Sequence, residues 1–265
     1  MDLQLSGKRA LVTGGSRGIG RAIARQLAME GCDVALAARD PARLSAAAGE
    51  LAAETGRRVI GLPVDTGDDA SVRAMVEAAV TALGGLDILV NSAAEPGGKL
   101  GAQRLADITT EALMGEVNIK VMGYLRVAQA VAPHLVAQGW GRIINVSGLA
   151  ARQAHSIVGS VRNVAVAAMT KNLADELGPH GVNVTVVHPG ATLTERTAAW
   201  ETQLLASGLT PDEAKARMGA GIAIGRMVTA REIADVVAFL ASPRSIAITG
   251  DAIPVGGGAL GAIHY

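Results

Sequence analysis

Short, unbroken apolar runs alternate along this chain with longer stretches in which apolar residues recur at helical spacing. The runs lie at Arg9–Thr13, Asp33–Ala37, Arg58–Pro63, Leu86–Asn91, Gly141–Ser147, Val182–His188 and Asp251–Val255. They are continuous rather than alternating, as in strands covered on both faces. The helical stretches lie near Arg21–Glu30, Arg43–Glu54, Ala70–Ala82, Glu111–Gln138, Gly159–Leu177 and Arg231–Ala241. Strand and helix taking turns predict an α/β fold: a doubly wound, seven-stranded parallel sheet with right-handed crossovers. Pro41 suits the first turn of the second helix, and Asp69 is expected to cap the third. No repeat, low-complexity linker or second domain interrupts the pattern, so residues 1–265 are expected to form a single domain. The stretch 192–225 departs from it, with Trp200 and Gly219-Ala220-Gly221 between the sixth strand and the last helix. Its place at the C-terminal edge of the sheet predicts a lid over a ligand; a surface helical insertion is the alternative.

Composition narrows the function classes. The chain has 265 residues, long enough for one substantial core, and a formal net charge of zero. Neutral charge argues against nucleic acid or an anionic membrane as partner, and leaves a small molecule and further copies of the chain. Aromatic residues make up only 2%, so the core must be packed with Ala, Val, Leu and Ile. The start, Met1-Asp2-Leu3-Gln4-Leu5-Ser6, has neither a basic end nor a long apolar run, so no signal peptide is expected. No apolar stretch is long enough to span a bilayer. The lone Cys32 excludes an internal disulfide, fits a reducing cytoplasm and reads as a packing residue. The five histidines are scattered, with no partners at ligand spacing, so no metal site is expected.

Chemistry enters at Thr13-Gly14-Gly15-Ser16-Arg17-Gly18-Ile19-Gly20, between the first strand and the first helix. Glycines there permit a tight turn and a close backbone approach to a pyrophosphate, and the helix N-terminus offers its N–H groups to the phosphates. An NAD-selective site would place a carboxylate after the second strand, for the ribose hydroxyls. This chain has Ala37-Ala38-Arg39 instead. Arg39 and Arg17 could hold a 2′-phosphate through charge-assisted bonds, which favours NADP over NAD; two solvated surface arginines are the alternative.

Over nearly its whole length the sequence resembles the short-chain dehydrogenase/reductase family, whose fold is of the Rossmann type. The glycine turn is similar to that family's Thr-Gly-x-x-x-Gly-x-Gly, which implies cofactor contacts from Gly14, Ser16, Arg17, Gly18, Ile19 and Gly20. Asp65 resembles the acid that touches the adenine. Asn91-Ser92-Ala93-Ala94 resembles the Asn-Asn-Ala-Gly block after the fourth strand, which implies roles for Asn91 and Ala93. Pro189-Gly190-Ala191-Thr192-Leu193-Thr194 resembles the segment that holds the nicotinamide amide, and brings in Pro189, Gly190, Thr192 and Thr194. The ending Ile253-Pro254-Val255-Gly256-Gly257-Gly258 is similar to the family's Val-Asp-Gly-Gly, with Gly256 in place of the acid.

The resemblance fails at the chemistry. The family's Tyr-x-x-x-Lys falls on Gly159-Ser160-Val161-Arg162-Asn163, so tyrosine has become Gly159 and lysine Asn163. The family's Asn-x-x-Gly falls on Lys120-Val121-Met122-Gly123, so its asparagine has become Lys120. Ser147 stands twelve residues before Gly159, and either it or Gly148 takes the serine position. One helix has lost Lys and gained Asn; the facing one has lost Asn and gained Lys. This pattern predicts an exchange, with Lys120, Ser147 and Asn163 as the catalytic set and Lys120 Nζ within reach of Asn163 or the nicotinamide ribose. A lysine snorkelling to solvent from a decayed site is the alternative. Tyr124, one turn beyond Lys120, could supply a hydroxyl but reads better as a core or interface residue. His155 is either an acid–base group at the substrate entrance or a surface-loop residue, and His188 reads as structural.

Two functions follow. One is an NADP-dependent oxidoreductase with an altered proton-transfer site, acting on a carbonyl or alcohol between apolar walls of Leu149, Ile157, Leu193, Trp200 and Met218. The other is a cofactor-binding protein without turnover, a regulator or partner subunit. A non-redox enzyme on the same scaffold would not need the preserved turn and Thr194. A homo-oligomer, a tetramer as in much of the family, is expected from the apolar surface of the helices at 111–138 and 159–177.

Overall fold

The computed structural model describes residues 1–94, 105–154 and 156–260. Seven strands form one sheet: β1 (Arg9–Thr13), β2 (Asp33–Ala38), β3 (Val59–Pro63), β4 (Ile88–Asn91), β5 (Gly141–Val146), β6 (Val182–Pro189) and, after a short pair, β9 (Ala252–Val255). Their order is β3-β2-β1-β4-β5-β6-β9, and the neighbours are parallel throughout. The strand order reverses between β1 and β4, and that crevice is where ligands bind in open sheets of this kind.

Unbroken apolar strands are buried on both faces because consecutive side chains point to opposite sides. On β1, Ala10 and Val12 join one core and Leu11 the other. The first core is closed by α1 (Gly18–Met29), α2 (Pro41–Thr55) and α9 (Ala230–Ala241), through Ile23, Leu27, Leu44, Leu51, Ile233 and Val237. The second is closed by α3 (Asp69–Leu83), α5 (Gly123–Ala137) and α6 (Ile157–Leu177), through Val72, Val76, Val127, Val131, Ala174 and Leu177. Cys32 is buried in the first core and its thiol is pushed up to about 12, chiefly by that burial and next by the Asp87 charge. This suits packing rather than nucleophilic chemistry.

Local chemistry fixes the helix starts. Pro41 opens α2 behind Asp40, whose carboxylate accepts from Arg43 N at 3.0 Å. The cap of α3 is Asp68, accepting from Ser71 N at 2.6 Å, and not Asp69. Asp69 lies one residue inside, where it pairs with Arg126 Nε at 2.9 Å.

Two regions depart from the expected pattern. The helix expected over 111–138 is three pieces: α4 (Thr110–Glu116), a π-helical turn over Val117–Met122, and α5. The stretch 192–225 contains α7 (Glu195–Ala206) and α8 (Pro211–Met218). It is tied to the domain by a short parallel pair, β7 (Thr192–Leu193) with β8 (Val228–Thr229). Farther on, Ala223 N and Ile224 N donate to Gly258 O and Gly257 O at 2.8 and 3.1 Å, strapping the end of this stretch to the chain beyond β9. At the opposite, N-terminal edge of the sheet, two cations lie against the Trp140 ring. Lys8 Nζ is 4.0 Å and Arg142 Cζ 4.7 Å from its centroid. Among the described residues no helix is long and apolar enough to cross a membrane.

Candidate functional site

A cleft of about 1460 Å³ opens along the C-terminal ends of β1 to β6, over the point where the strand order reverses. Its phosphate end is built from the glycine turn. Gly14 has φ +68, and a Cβ there would sit 2.7 Å from the Ser92 carbonyl oxygen. A Cβ on Gly20 would collide with the Gly14 carbonyl oxygen, so only glycine lets α1 start this close to β1. Gly18, at φ +56, has no neighbour nearer than 3.9 Å to where its Cβ would be, which leaves that corner open to a ligand. Arg17 enters α1 with extended backbone, no side chain caps the first turn, and no acid lies within it. The first-turn N–H groups therefore stand ready for an anion, and the turn fits a dinucleotide pyrophosphate.

Arg17, Arg39 and Arg43 line the same end. The nearest acid after β2, Asp40, is engaged as the α2 cap and lies 3.7 Å from Arg43 Nη2. Asp65 lines the cleft, its Oδ1 accepting from Gly67 N at 2.9 Å. Thr13 Oγ1 accepts from Ser92 N and Ala93 N at 3.1 and 3.2 Å, which pins the chain after β4 to β1. Asn91 itself does not line the cleft. It is buried, and its Nδ2 donates to Asn145 Oδ1 at 3.0 Å and to Tyr124 O at 3.4 Å. Asn145 Nδ2 in turn donates to Thr170 Oγ1 at 2.9 Å, so Asn91 belongs to a polar ladder beneath the floor.

At the other end lies Lys120, in the π-helical turn and only 4% exposed. Its Nζ donates to Asn163 Oδ1 at 2.8 Å and to Ser147 O at 2.9 Å. The contact with Asn163 is the one the exchange of residues predicts, and Lys120 does not snorkel to solvent. Ser147 Oγ donates to Asn163 O at 3.1 Å and approaches Asn163 Oδ1 at 3.2 Å. A Cβ at Gly148 would lie 3.2 Å from Asn163 Nδ2, so both residues of the serine pair abut the same asparagine. Burial lowers the Lys120 ammonium to about 7; the Arg162 charge pushes the same way, and Glu116 opposes it.

Arg162 and Glu116 form a buried ion pair next to these contacts, which the sequence reading did not anticipate. Glu116 closes α4 one turn before Lys120, and Arg162 precedes Asn163, so two adjacent rungs join the same two segments. Tyr124 is buried and its hydroxyl donates to Val146 O at 2.9 Å; burial pushes its pKa up. The core alternative expected for it holds. A Cβ at Gly159 would make ordinary contacts with Ser156 and Ala150. Of the expected apolar walls, Leu149, Trp200 and Met218 line the cleft, joined by Ile222; Ile157 and Leu193 are exposed elsewhere. His188 is buried near the end of β6. His155 lies outside the described residues.

Among the described residues assigned from sequence to the cofactor or to the Lys120, Ser147 and Asn163 set, all but Asn91 line this one cleft. Arg43 and Arg162 went unread, and helices over 192–225 were expected only under the alternative to a lid. Comparison with known proteins agrees with the geometry. A family model described as Enoyl-(Acyl carrier protein) reductase matches residues 14–259. The 3-oxoacyl-acyl-carrier-protein reductase FabG of Aquifex aeolicus is 33% identical, covering 97% of this chain and 99% of that protein. The L-xylulose reductase of Bos taurus is 35% identical over 98% of this chain and 99% of its own. The crystal structure of L-sorbose reductase from Gluconobacter frateurii, complexed with NADPH and L-sorbose, superposes with a TM-score of 0.91. It is 31% identical and covers 99% of this chain and 100% of that one. The chain belongs to the short-chain dehydrogenase/reductase family of oxidoreductases.

Proposed function

We propose that the protein is an NADP(H)-dependent oxidoreductase acting on a carbonyl or alcohol, with Lys120 as the proton-transfer group. The observation that carries this reading is the Lys120 ammonium: buried at the cleft, bonded among the described residues to neutral oxygens of Ser147 and Asn163, and lowered to about 7. An acid with that proton affinity can give or take a proton at neutral pH. When bound, the nicotinamide supplies the hydride. The first turn of α1 holds the pyrophosphate, Arg39 and Arg17 the 2′-phosphate, Asp65 the adenine, and Thr192 and Thr194 the nicotinamide amide. Ser147 and Asn163 orient Lys120, and no tyrosine hydroxyl enters the chemistry. The walls of Leu149, Trp200, Met218 and Ile222 favour a partly apolar substrate.

The test is to titrate NADPH and NADH by calorimetry and then follow the absorbance of the reduced cofactor across a panel of aldehydes and ketones. Turnover with NADPH that falls at least a hundredfold in Lys120→Ala supports the reading. A second reading, binding without turnover, is favoured by one observation: Tyr124, which lines the cleft, keeps its hydroxyl on Val146 O. Tight NADPH binding with no absorbance change on any carbonyl would establish that reading instead. We further propose that the protein is a homo-oligomer, with the exposed stripe Ile157, Val161 and Val164 of α6 as part of the contact.

A further inference from the structure

The hydrogen-bonding pattern at Lys120 permits more than proton transfer. A neutral amine has two N–H bonds and one lone pair. Among the described residues Nζ has two acceptors, Ser147 O and Asn163 Oδ1, both uncharged. These satisfy both N–H bonds of a neutral amine and leave its lone pair unengaged. A buried ammonium held for structure would ordinarily meet a carboxylate. The nearby carboxylate, Glu116, is instead bonded to Arg162. Arg162, on α6, thus adds a cation beside the amine, while Glu116, on α4, takes no bond to it. Lys120 lines a cleft large enough for a small organic molecule, which also has apolar walls. Desolvation and a neighbouring cation are the two ways a lysine is made nucleophilic.

We propose that Lys120 is a nucleophile that condenses with an aldehyde or ketone admitted to the cleft, forming a Schiff base. The nitrogen lone pair forms a bond to the carbonyl carbon while the C=O π pair moves onto oxygen. One proton passes from nitrogen to that oxygen, giving a carbinolamine. The hydroxyl then leaves with the second nitrogen proton as water, and the C=N bond forms. One amine and one carbonyl become one imine and one water, with no change in oxidation state. The step uses the cleft and Lys120 and needs no nicotinamide, so it stands apart from the reductase reading.

The experiment is reductive trapping of the wild-type protein with hexanal and sodium cyanoborohydride at pH 7, followed by peptide mass mapping. The cyanoborohydride gives hydride to the imine carbon and makes the adduct permanent. Lys171 and Lys215, both exposed, are the internal comparison. The expected result is alkylation of Lys120 at least tenfold faster than of Lys171 and Lys215, rising through pH 7. Asn163→Asp would place a carboxylate on Nζ and hold it protonated, so the Lys120 adduct should fall at least tenfold while the surface adducts stay the same. Alkylation of Lys120 no faster than of Lys171 overturns the proposal. NADPH turnover without an adduct overturns this inference alone, and an adduct without turnover overturns the reductase reading alone.

Discussion

At position 120 a lysine is almost wholly buried, and its lowered proton affinity is the measurable result. The folded Lys120 titrates near 7, whereas an unfolded lysine does so at about 10.4. Between those values the unfolded chain holds more protons, so this group makes stability rise with pH across that window and adds nothing further below pH 7. In Lys120→Met that part of the slope should vanish, which urea unfolding at pH 7, 8, 9 and 10 would measure. At the other end of the cleft, Arg39→Ala should weaken NADPH binding by about tenfold or more and leave NADH nearly unchanged, as calorimetry with both cofactors would report. The contact between Lys120 and Asn163 was legible from sequence because each residue type stood where its counterpart belonged. The Glu116–Arg162 pair was not, because matching two charges across two helices requires the phase of both, and a π-helical turn shifts the phase of one. Asn91 misled for another reason. A polar residue at a strand end can face the ligand or the layer beneath it, and only the partners Asn145 and Tyr124 decide which.

That π-helical turn is the element that matters most to the site. It widens the helix by one residue just where Lys120 leaves it, and such turns often occur at functional positions. Gly123 follows it, and a Cβ there would crowd Thr66 at 3.1 Å, so the start of α5 is pressed against the loop after β3. Deleting Met122 should restore ordinary α-helical winding and turn Lys120 by about 100° relative to α5. The far-ultraviolet circular dichroism should stay the same, while both Lys120 contacts are lost and carbonyl reduction falls to the level of Lys120→Ala. The seven strands were legible because strands buried on both faces leave unbroken apolar runs. The break between α4 and α5 was not, since the apolar periodicity on its two sides reads as one helix. The bounds of α7 and α8 were hidden by composition: α7 buries none of its described residues fully and α8 only Ala214 and Met218, so neither shows a wide apolar stripe.

Taken whole, the described residues leave one face of α6 uncovered. Ile157, Val161 and Val164 are 48, 45 and 49% exposed and stand four and three residues apart, which puts them on one stripe. If that stripe meets another copy, Val161→Glu should shift light scattering at micromolar concentration toward the monomer and leave the far-ultraviolet circular dichroism unchanged. The fold was legible at this scale because alternating strands and helices admit few topologies. The number of copies was not, because the chain pattern does not say what covers an outward face. The placing of the two tryptophans has a use of a different kind. Trp140 sits against Lys8 and Arg142 at one edge of the sheet, and Trp200 lines the cleft at the other. With so few aromatic residues, intrinsic fluorescence comes from two well-separated lamps. NADP⁺ does not absorb their emission, so filling the cleft should change the colour of Trp200 alone. A Trp140→Phe protein should keep the ligand-induced shift in emission wavelength and a Trp200→Phe protein should lose it, giving a label-free readout that separates occupancy of the cleft from unfolding of the sheet.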